Sequence, residues 1–306
     1  MEARKVNFLA RIALLSVAVI WGSTLVVAKG TTGTIAPILL IACRFLIAFV
    51  VLGAIFFKQF AKLDKGYWIG GIVIGFCLFL AHSAQTIGVT DAEGLPGRSG
   101  FLSAAYCIIV PFLNWAVSKE RPNRYNMIAA ILCVAGIGFV SFGNETPADL
   151  AKNTMVGFTL PDFLALLSGV FFAAHIVTVD KFSRGKDPIL MTIMQFLFAG
   201  LFSLITVVVQ EPSAFVEAQW DKAFWAIAYL AVICTALALL LQNVGQRYTD
   251  PSSAAIILGT ESIFCVIFGV IYAAETVKGW LWIGFALIFL AIIVSETKLS
   301  FLRSKR

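Results

Sequence analysis

Long apolar runs, each bounded by a short polar or charged turn, recur along the whole chain. Uncharged runs fill residues 66–90, 99–118, 125–144, 188–210 and 223–246, with slightly shorter ones at 12–28, 163–179 and 279–295. Two more are each marked by one buried-type charge: 30–57 by Arg44 and 251–274 by Glu261. A helix needs about 20 apolar residues to cross a hydrocarbon core of roughly 30 Å. The pattern therefore predicts ten spans, near 8–28, 35–57, 67–89, 98–118, 125–143, 162–180, 188–209, 223–245, 251–274 and 279–296. No soluble core absorbs ten such helices with so little polar surface. The expected fold class is an all-α integral membrane protein.

The pattern also repeats. Residues 94–120 and 248–275 align at an offset of 155, which sets Pro96 on Pro251, Tyr106 on Glu261 and Glu120 on Glu275. Pro37 and Arg44 are seven apart, as are Pro188 and Gln195. Each half holds five spans, and an odd number sends the second half into the membrane from the opposite side. The expectation is ten transmembrane helices as two inverted five-helix repeats, a plan that places substrate sites near the bilayer midplane. The domains would be a first repeat over 1–143, a linker over 144–160 and a second repeat with a basic tail over 161–306. Pro111, inside the fourth span, should kink it or free a carbonyl. Gly136 and Gly138 permit close packing of the fifth.

Composition agrees with this reading. The chain is 60% hydrophobic and 13% charged, whereas soluble domains carry about 25% charged residues. The net charge of +6 is not a nucleic-acid signal, because of where the charges sit. With the N-terminus cytoplasmic, seventeen of the 23 Lys and Arg fall in cytoplasmic segments, five outside, and Arg44 within a span. The positive-inside rule then puts both termini in the cytoplasm, which requires an even number of spans. The first span lacks a small-x-small cleavage site and ends in Trp-Gly-Ser-Thr, so it reads as retained rather than as a signal peptide. All six cysteines fall inside spans, as small apolar fillers without disulfide or metal-ligand spacing. Asn144-Glu145-Thr146 matches a glycosylation sequon that matters only in a eukaryotic secretory route. The expected setting is the cell's inner (plasma) membrane, multi-pass, with a small-molecule substrate, the lipid bilayer as partner, no nucleic acid, no metal and no cofactor. Monomer and homodimer are both left open.

Only Arg44 and Glu261 carry charge well inside spans. Such a charge costs about 2.5–3.5 kcal/mol on insertion scales, so something must offset it. Arg44, with Gln195 as its second-half counterpart, suggests a scaffold hydrogen bond. Glu261 is a candidate for substrate binding or proton exchange. His82 and Gln85 are three apart and share a helix face, as do His175 and Thr178. Trp21 either stacks on an aromatic or cationic substrate or packs. Ser23, Thr24, Gln85, Tyr106, Asn114, Gln242 and Asn243 either bind substrate or tie helices together. Tyr106 is favoured because it holds the repeat position of Glu261. The candidate substrate set is Trp21, Ser23, Thr24, His82, Gln85, Tyr106, His175, Gln242, Asn243 and Glu261, with Glu261 and Arg44 as coupling or structural charges.

Several of these pieces occur in a familiar order. They are Trp21-Gly22-Ser23-Thr24 with Lys29, Pro37 with Arg44, Gln85-Thr-Ile-Gly, Phe101-Leu-Ser-Ala-Ala-Tyr, Val110-Pro111 and Glu120-Arg121. In the second half they are Gln195, Gln246-Arg247-Tyr248-Thr249, Pro251 through Ala255, and Glu261 fourteen residues before Glu275. In these the chain resembles the EamA-type family of the drug/metabolite transporter superfamily over about residues 10–296. The resemblance implies a secondary transporter whose cavity is lined by spans 1, 3, 4, 6, 8 and 9, with 5 and 10 peripheral. It also implies export of amino acids or other small metabolites, and no enzymatic activity. Ser262 departs from the family, which usually has proline after this glutamate, so the kink there is expected to be missing or softened. The two membrane histidines are not family hallmarks. An integral-membrane acyl or phosphoryl transferase and a channel are the competing classes. The first would need clustered nucleophile and base; the second would show flux without saturation. No Gly-x-x-x-x-Gly-Lys loop is present for direct ATP drive.

Overall fold

Among the described residues every regular element is a helix. The computed structural model describes residues 2–119, 121–142, 159–273 and 280–297. Glu120, Glu275, the sequon at 144–146, all but the last two residues of the expected linker, and the basic tail beyond 297 lie outside them.

The helices are α1 (Glu2–Lys29), α2 (Pro37–Ile55), α3 (Lys65–Thr90), α4 (Pro96–Ser103), α5 (Tyr106–Ser118) and α6 (Arg124–Phe142) in the first half. The second half holds α7 (Leu160–Ser183), α8 (Pro188–Gln210), α9 (Trp220–Tyr229), α10 (Ala238–Gln246), α11 (Pro251–Gly259), α12 (Glu261–Ala273) and α13 (Trp280–Thr297). Their starts are written in the sequence. Pro stands in the first turn of α2, α4, α7, α8 and α11, where its missing N–H costs nothing. Asp64, Asp187 and Asp250 cap α3, α8 and α11 with their carboxylates, and Thr159 and Asp162 form a capping box on α7.

Among the described residues, eight helical stretches are long and apolar enough to cross a membrane: α1, α2, α3, α4 with α5, α7, α8, α9 through α10, and α11 with α12. The fifth and tenth expected spans, α6 and α13, carry shorter apolar stretches, Arg124–Gly136 and Trp282–Ala291. Polarity runs opposite to that of a soluble domain. Ile131, Val209 and Trp225 are 66%, 73% and 78% exposed, while Arg44, His82, His175, Gln195 and Glu261 are each 5% exposed or less. An outward apolar surface of this kind is stable only against lipid.

Two expected single spans are split. The fourth breaks at Ala104–Ala105, where the Ala105, Cys107 and Ile108 amides each bond the carbonyl three residues back. Pro111 does not lie at this break. It sits inside an unbroken α5, and the tight turn lies more than one helical turn before it. The ninth breaks at Thr260 although it lacks the expected proline. There the Thr260 and Ser262 hydroxyls donate to the Ile257 and Gly259 carbonyls, at 2.7 Å each, and the Thr260 amide also bonds the Ile257 carbonyl at 3.2 Å. The expected loss or softening of that kink is thus corrected: hydroxyls do the work of proline. The eighth span carries a further irregularity, a π-helical segment over Leu230–Leu237.

The two split helices cross each other. α4 packs on α12 and α5 on α11, so they run antiparallel. α1 packs along α11 and α12, and α7 packs along α4 and α5. α3 lies against α7 and α10 against α1, while α2 lies against α8 and α6 against α13. Single contacts recur in the same way: a β-carbon on Gly88 would meet the Pro161 carbonyl at 3.1 Å, and one on Gly245 the Ala10 carbonyl at 3.1 Å.

Candidate functional site

The crossing of α1, α3, the split helices and α7 leaves an enclosed cavity, lined by Trp21, Thr24, Leu25, His82, Gln85, Tyr106, Phe172 and Glu261. Its unfilled space is about 320 Å³, but water-sized centres fit in only about 10 Å³ of it. The walls are therefore nearly in contact. Tyr106 and Glu261 reach it from matching places, each as the first residue after a helix break.

The Trp21-Gly22-Ser23-Thr24 segment is divided by helix geometry. Trp21 and Thr24, three apart, face the cavity. Gly22 packs on the backbone of Phe264, so α1 and α12 touch there without a side chain between them. Ser23 points the other way and hydrogen-bonds the Tyr229 hydroxyl at 2.8 Å. The Trp21 indole N–H donates to the Cys234 carbonyl at 3.1 Å, inside the π-helical segment. A π-bulge frees carbonyls of this kind, which explains why the segment lies beside the site.

Much of the polar lining has no partner. Thr24 Oγ1, both ring nitrogens of His82 and the Tyr106 hydroxyl are buried without a hydrogen bond to any described residue. The Glu261 carboxyl has no hydrogen bond or ion pair to any described residue. Gln85 Nε2 donates to Ser103 Oγ at 3.2 Å, which anchors Gln85 to the last residue of α4. Phe172 stands at the centre of the rings: its centroid is 5.2 Å from His82, 6.3 Å from Tyr106 and 6.5 Å from Trp21. Buried polar groups are normally satisfied within the protein, so these four atoms on one cavity's walls are available to meet a ligand.

Six of the ten candidate substrate residues meet here: Trp21, Thr24, His82, Gln85, Tyr106 and Glu261. Four do not. Ser23 faces a separate cavity, with Trp225, Tyr229, Phe268 and Tyr272 among its walls, that admits water-sized centres over about 510 Å³. His175 Nε2 pairs with Gln195 Oε1 at 3.0 Å. Asn243 Nδ2 donates to Thr192 Oγ1 at 2.7 Å, and Gln242 to Gln246 at 3.2 Å. Span 8 thus contributes no side chain to the central lining. Arg44 is also apart, its Nε donating to Thr235 Oγ1 at 3.2 Å. Phe172 was not singled out from the sequence, where it is one more apolar residue in an apolar span. Yet it stands 151 residues after Trp21, the offset that relates Pro37 to Pro188. Extending that register would have found it.

The two ends of the bundle differ. At one, Arg98 pairs with the buried Asp162 at 2.9 Å, and Lys29 and Thr32 donate to the Asp91 and Thr90 carbonyls. At the other, Lys62 pairs with Asp187 at 3.1 Å and Lys186 with Asp64. The Lys186 ammonium hydrogen-bonded to Asp64 holds that carboxyl below the usual carboxylate range. This second end has a polar cavity among Asp180, Ser183, Arg184, Asn243, Gln246 and Arg247, with about 260 Å³ for water-sized centres.

An α-helical, multi-pass membrane protein with an enclosed polar and aromatic pocket at its centre is the class this architecture defines. The sequence profile of the EamA-like transporter family matches the chain twice, over residues 8–142 and 159–297. The chain belongs to this family. It is 29% identical to an uncharacterized transporter of Archaeoglobus fulgidus, over 93% of this chain and 85% of that one. It is 25% identical to the uncharacterized transporter YetK of Bacillus subtilis, over 94% and 87% of the two chains. A solved crystal structure that is 18% identical matches with a TM-score of 0.69, over 93% of this chain and 96% of the other, a likeness of fold. The protein is a multi-pass membrane transporter.

Proposed function

We propose that it is a secondary active transporter that exports small amphiphilic metabolites, amino acids or related compounds, by alternating access, with Glu261 exchanging a proton during the cycle. The observation that carries this reading is the central cavity, where Glu261 and Tyr106 start two half-helices and face partnerless polar groups. Broken helices at a midplane site are the usual construction in such carriers. The antiparallel crossing of the split helices, and the matched contacts at Gly88 and Gly245, support two inverted repeats with α6 and α13 as the fifth and tenth spans. The gathering of Lys62, Arg184, Lys186 and Arg247 at one end supports a cytoplasmic face there and an inner-membrane setting.

The contrast between the ends supports alternating access. One is fastened by a largely buried ion pair; the other has a polar vestibule in which Ser183 Oγ, Asn243 Oδ1 and Gln246 Nε2 lack partners among the described residues. The central walls must part to admit a metabolite, because so little water-sized space lies between them.

The test is counterflow into proteoliposomes loaded with an amino-acid and metabolite mixture, wild type beside Glu261→Gln, with internal pH recorded. Saturable exchange with proton movement, both lost in the variant, is the expected result. Exchange that survives in the variant at every pH would reduce Glu261 to scaffold. Flux without saturation would turn the reading to a channel.

A further inference from the structure

We infer that the central pocket selects compounds whose head group is an amine on an aromatic or flat apolar body, in preference to zwitterions and acids. This rests on the proposed reading of the pocket as the transport site, and within that reading it ranks amines ahead of the amino acids named there.

The charge inventory is one-sided. Glu261 is the one carboxyl among the lining residues, and no Lys or Arg stands with it. It is 5% exposed and bonded to no described residue. Arg44, the buried guanidinium, does not line the cavity; its Nε donates to Thr235, while its Nη2 is buried without a partner among the described residues. A bound ammonium would meet the carboxylate, and its remaining N–H groups would find the Thr24 and Tyr106 hydroxyl oxygens, both buried and unpartnered. A ligand carboxylate entering the same space would be a second acid beside Glu261 with no lysine or arginine to answer it, which buried sites penalise heavily. Specificity here comes from that repulsion as much as from attraction.

The walls complete the match. Trp21, Tyr106 and His82 surround Phe172 with centroid separations of 5.2 to 6.5 Å. Ring faces attract both cations and the edges of other rings. A carboxylate inside an aromatic enclosure is therefore complementary to an arylalkylamine.

Phenethylamine, phenylalanine and 3-phenylpropionate share a phenyl ring on a short chain and differ in the head group. Each is titrated calorimetrically into the purified full-length protein, and each is run in counterflow. Phenethylamine is expected to bind about tenfold or more tighter than phenylalanine, as for a hydrogen-bonded charge left unpaired. 3-Phenylpropionate should show no saturable binding. In Glu261→Gln the preference for the amine should fall to within about threefold, and Glu261→Asp should retain part of it. Equal or tighter binding of phenylalanine or 3-phenylpropionate by the wild type overturns the inference, with no variant needed. If phenylalanine then exchanges saturably, the transporter reading stands without it. If phenethylamine binds as expected but none of the three is exchanged, amine selectivity stands and the secondary-carrier reading falls.

Discussion

Two helices in this protein break at matching places by different means. The span made of α4 and α5 turns at Ala104–Ala105 through backbone bonds to carbonyls three residues back. The span made of α11 and α12 turns at Thr260, where the Thr260 and Ser262 hydroxyls also cover the Ile257 and Gly259 carbonyls. The residue delivered to the cavity differs too: Tyr106 in the first, Glu261 in the second. What the pair teaches is that the break is fixed by the crossing of the two halves, not by a particular breaker residue. Its position fits the site: the N-terminal end of a half-helix carries the positive end of its dipole, a favourable place for an acid.

The crossing itself is the strongest place to break that symmetry. Gly259 lies directly on the Cys107 thiol, and Cys107 Sγ donates to the Ala255 carbonyl at 3.1 Å. At the matching place of the first half stands Ala104, fully buried, so only one of the two positions demands glycine. Gly259→Ala is expected to destabilise by about 1–3 kcal/mol, as overpacking does. Cys107→Ala in the same chain should recover more than half of that loss, because it removes the atom the new methyl meets. The check is a double-mutant cycle read by denaturation of the detergent-solubilised protein. Strict additivity of the two changes would show that the helices do not touch there.

Much of this was legible before any coordinates. The apolar runs locate the helices because lipid demands long uncharged stretches. The offset of 155 pairs Tyr106 with Glu261, and both prove to start half-helices. Six candidate residues meet because helical spacing puts Trp21 with Thr24, and His82 with Gln85, on shared faces. The rest depended on contacts between distant segments. His175 looked equivalent to His82, but Gln195 lies within reach of it and takes its ring nitrogen. The π-helical turn at Leu230–Leu237 has no proline or glycine to announce it. The break at Ala104–Ala105 likewise has no proline at it, Pro111 lying inside α5.

The second break can be tested by restoring what the family usually carries. The Ser262 amide makes no backbone hydrogen bond to a described residue, so Ser262→Pro removes only the hydroxyl bond to Gly259. A change within about 1 kcal/mol is expected, since proline is accepted in the first turn of a helix. Ile263 is the contrast: its amide donates to the Thr260 carbonyl at 3.0 Å. Ile263→Pro breaks that bond and should cost about 1–3 kcal/mol. Thermal melts of the two variants in one detergent compare them directly. Equal losses would mean that the break is not where the hydroxyls place it.

The smallest effect on stability is expected at the residue that stands in for Glu261 in the first half. The Tyr106 ring packs on Phe172, but its hydroxyl is buried with no partner. Tyr106→Phe keeps the ring and deletes only an unpaired polar group. Loss of such a group is neutral or stabilising by up to about 1 kcal/mol, whereas loss of a bonded hydroxyl would destabilise by a similar amount. The melting temperature should therefore hold or rise. Substrate affinity should move the other way, weakening by about fivefold if the hydroxyl meets the ligand's head group. A variant both less stable and unchanged in affinity would place the hydroxyl in the scaffold. The two split helices would then differ in kind, with only the one bearing Glu261 addressed to the substrate.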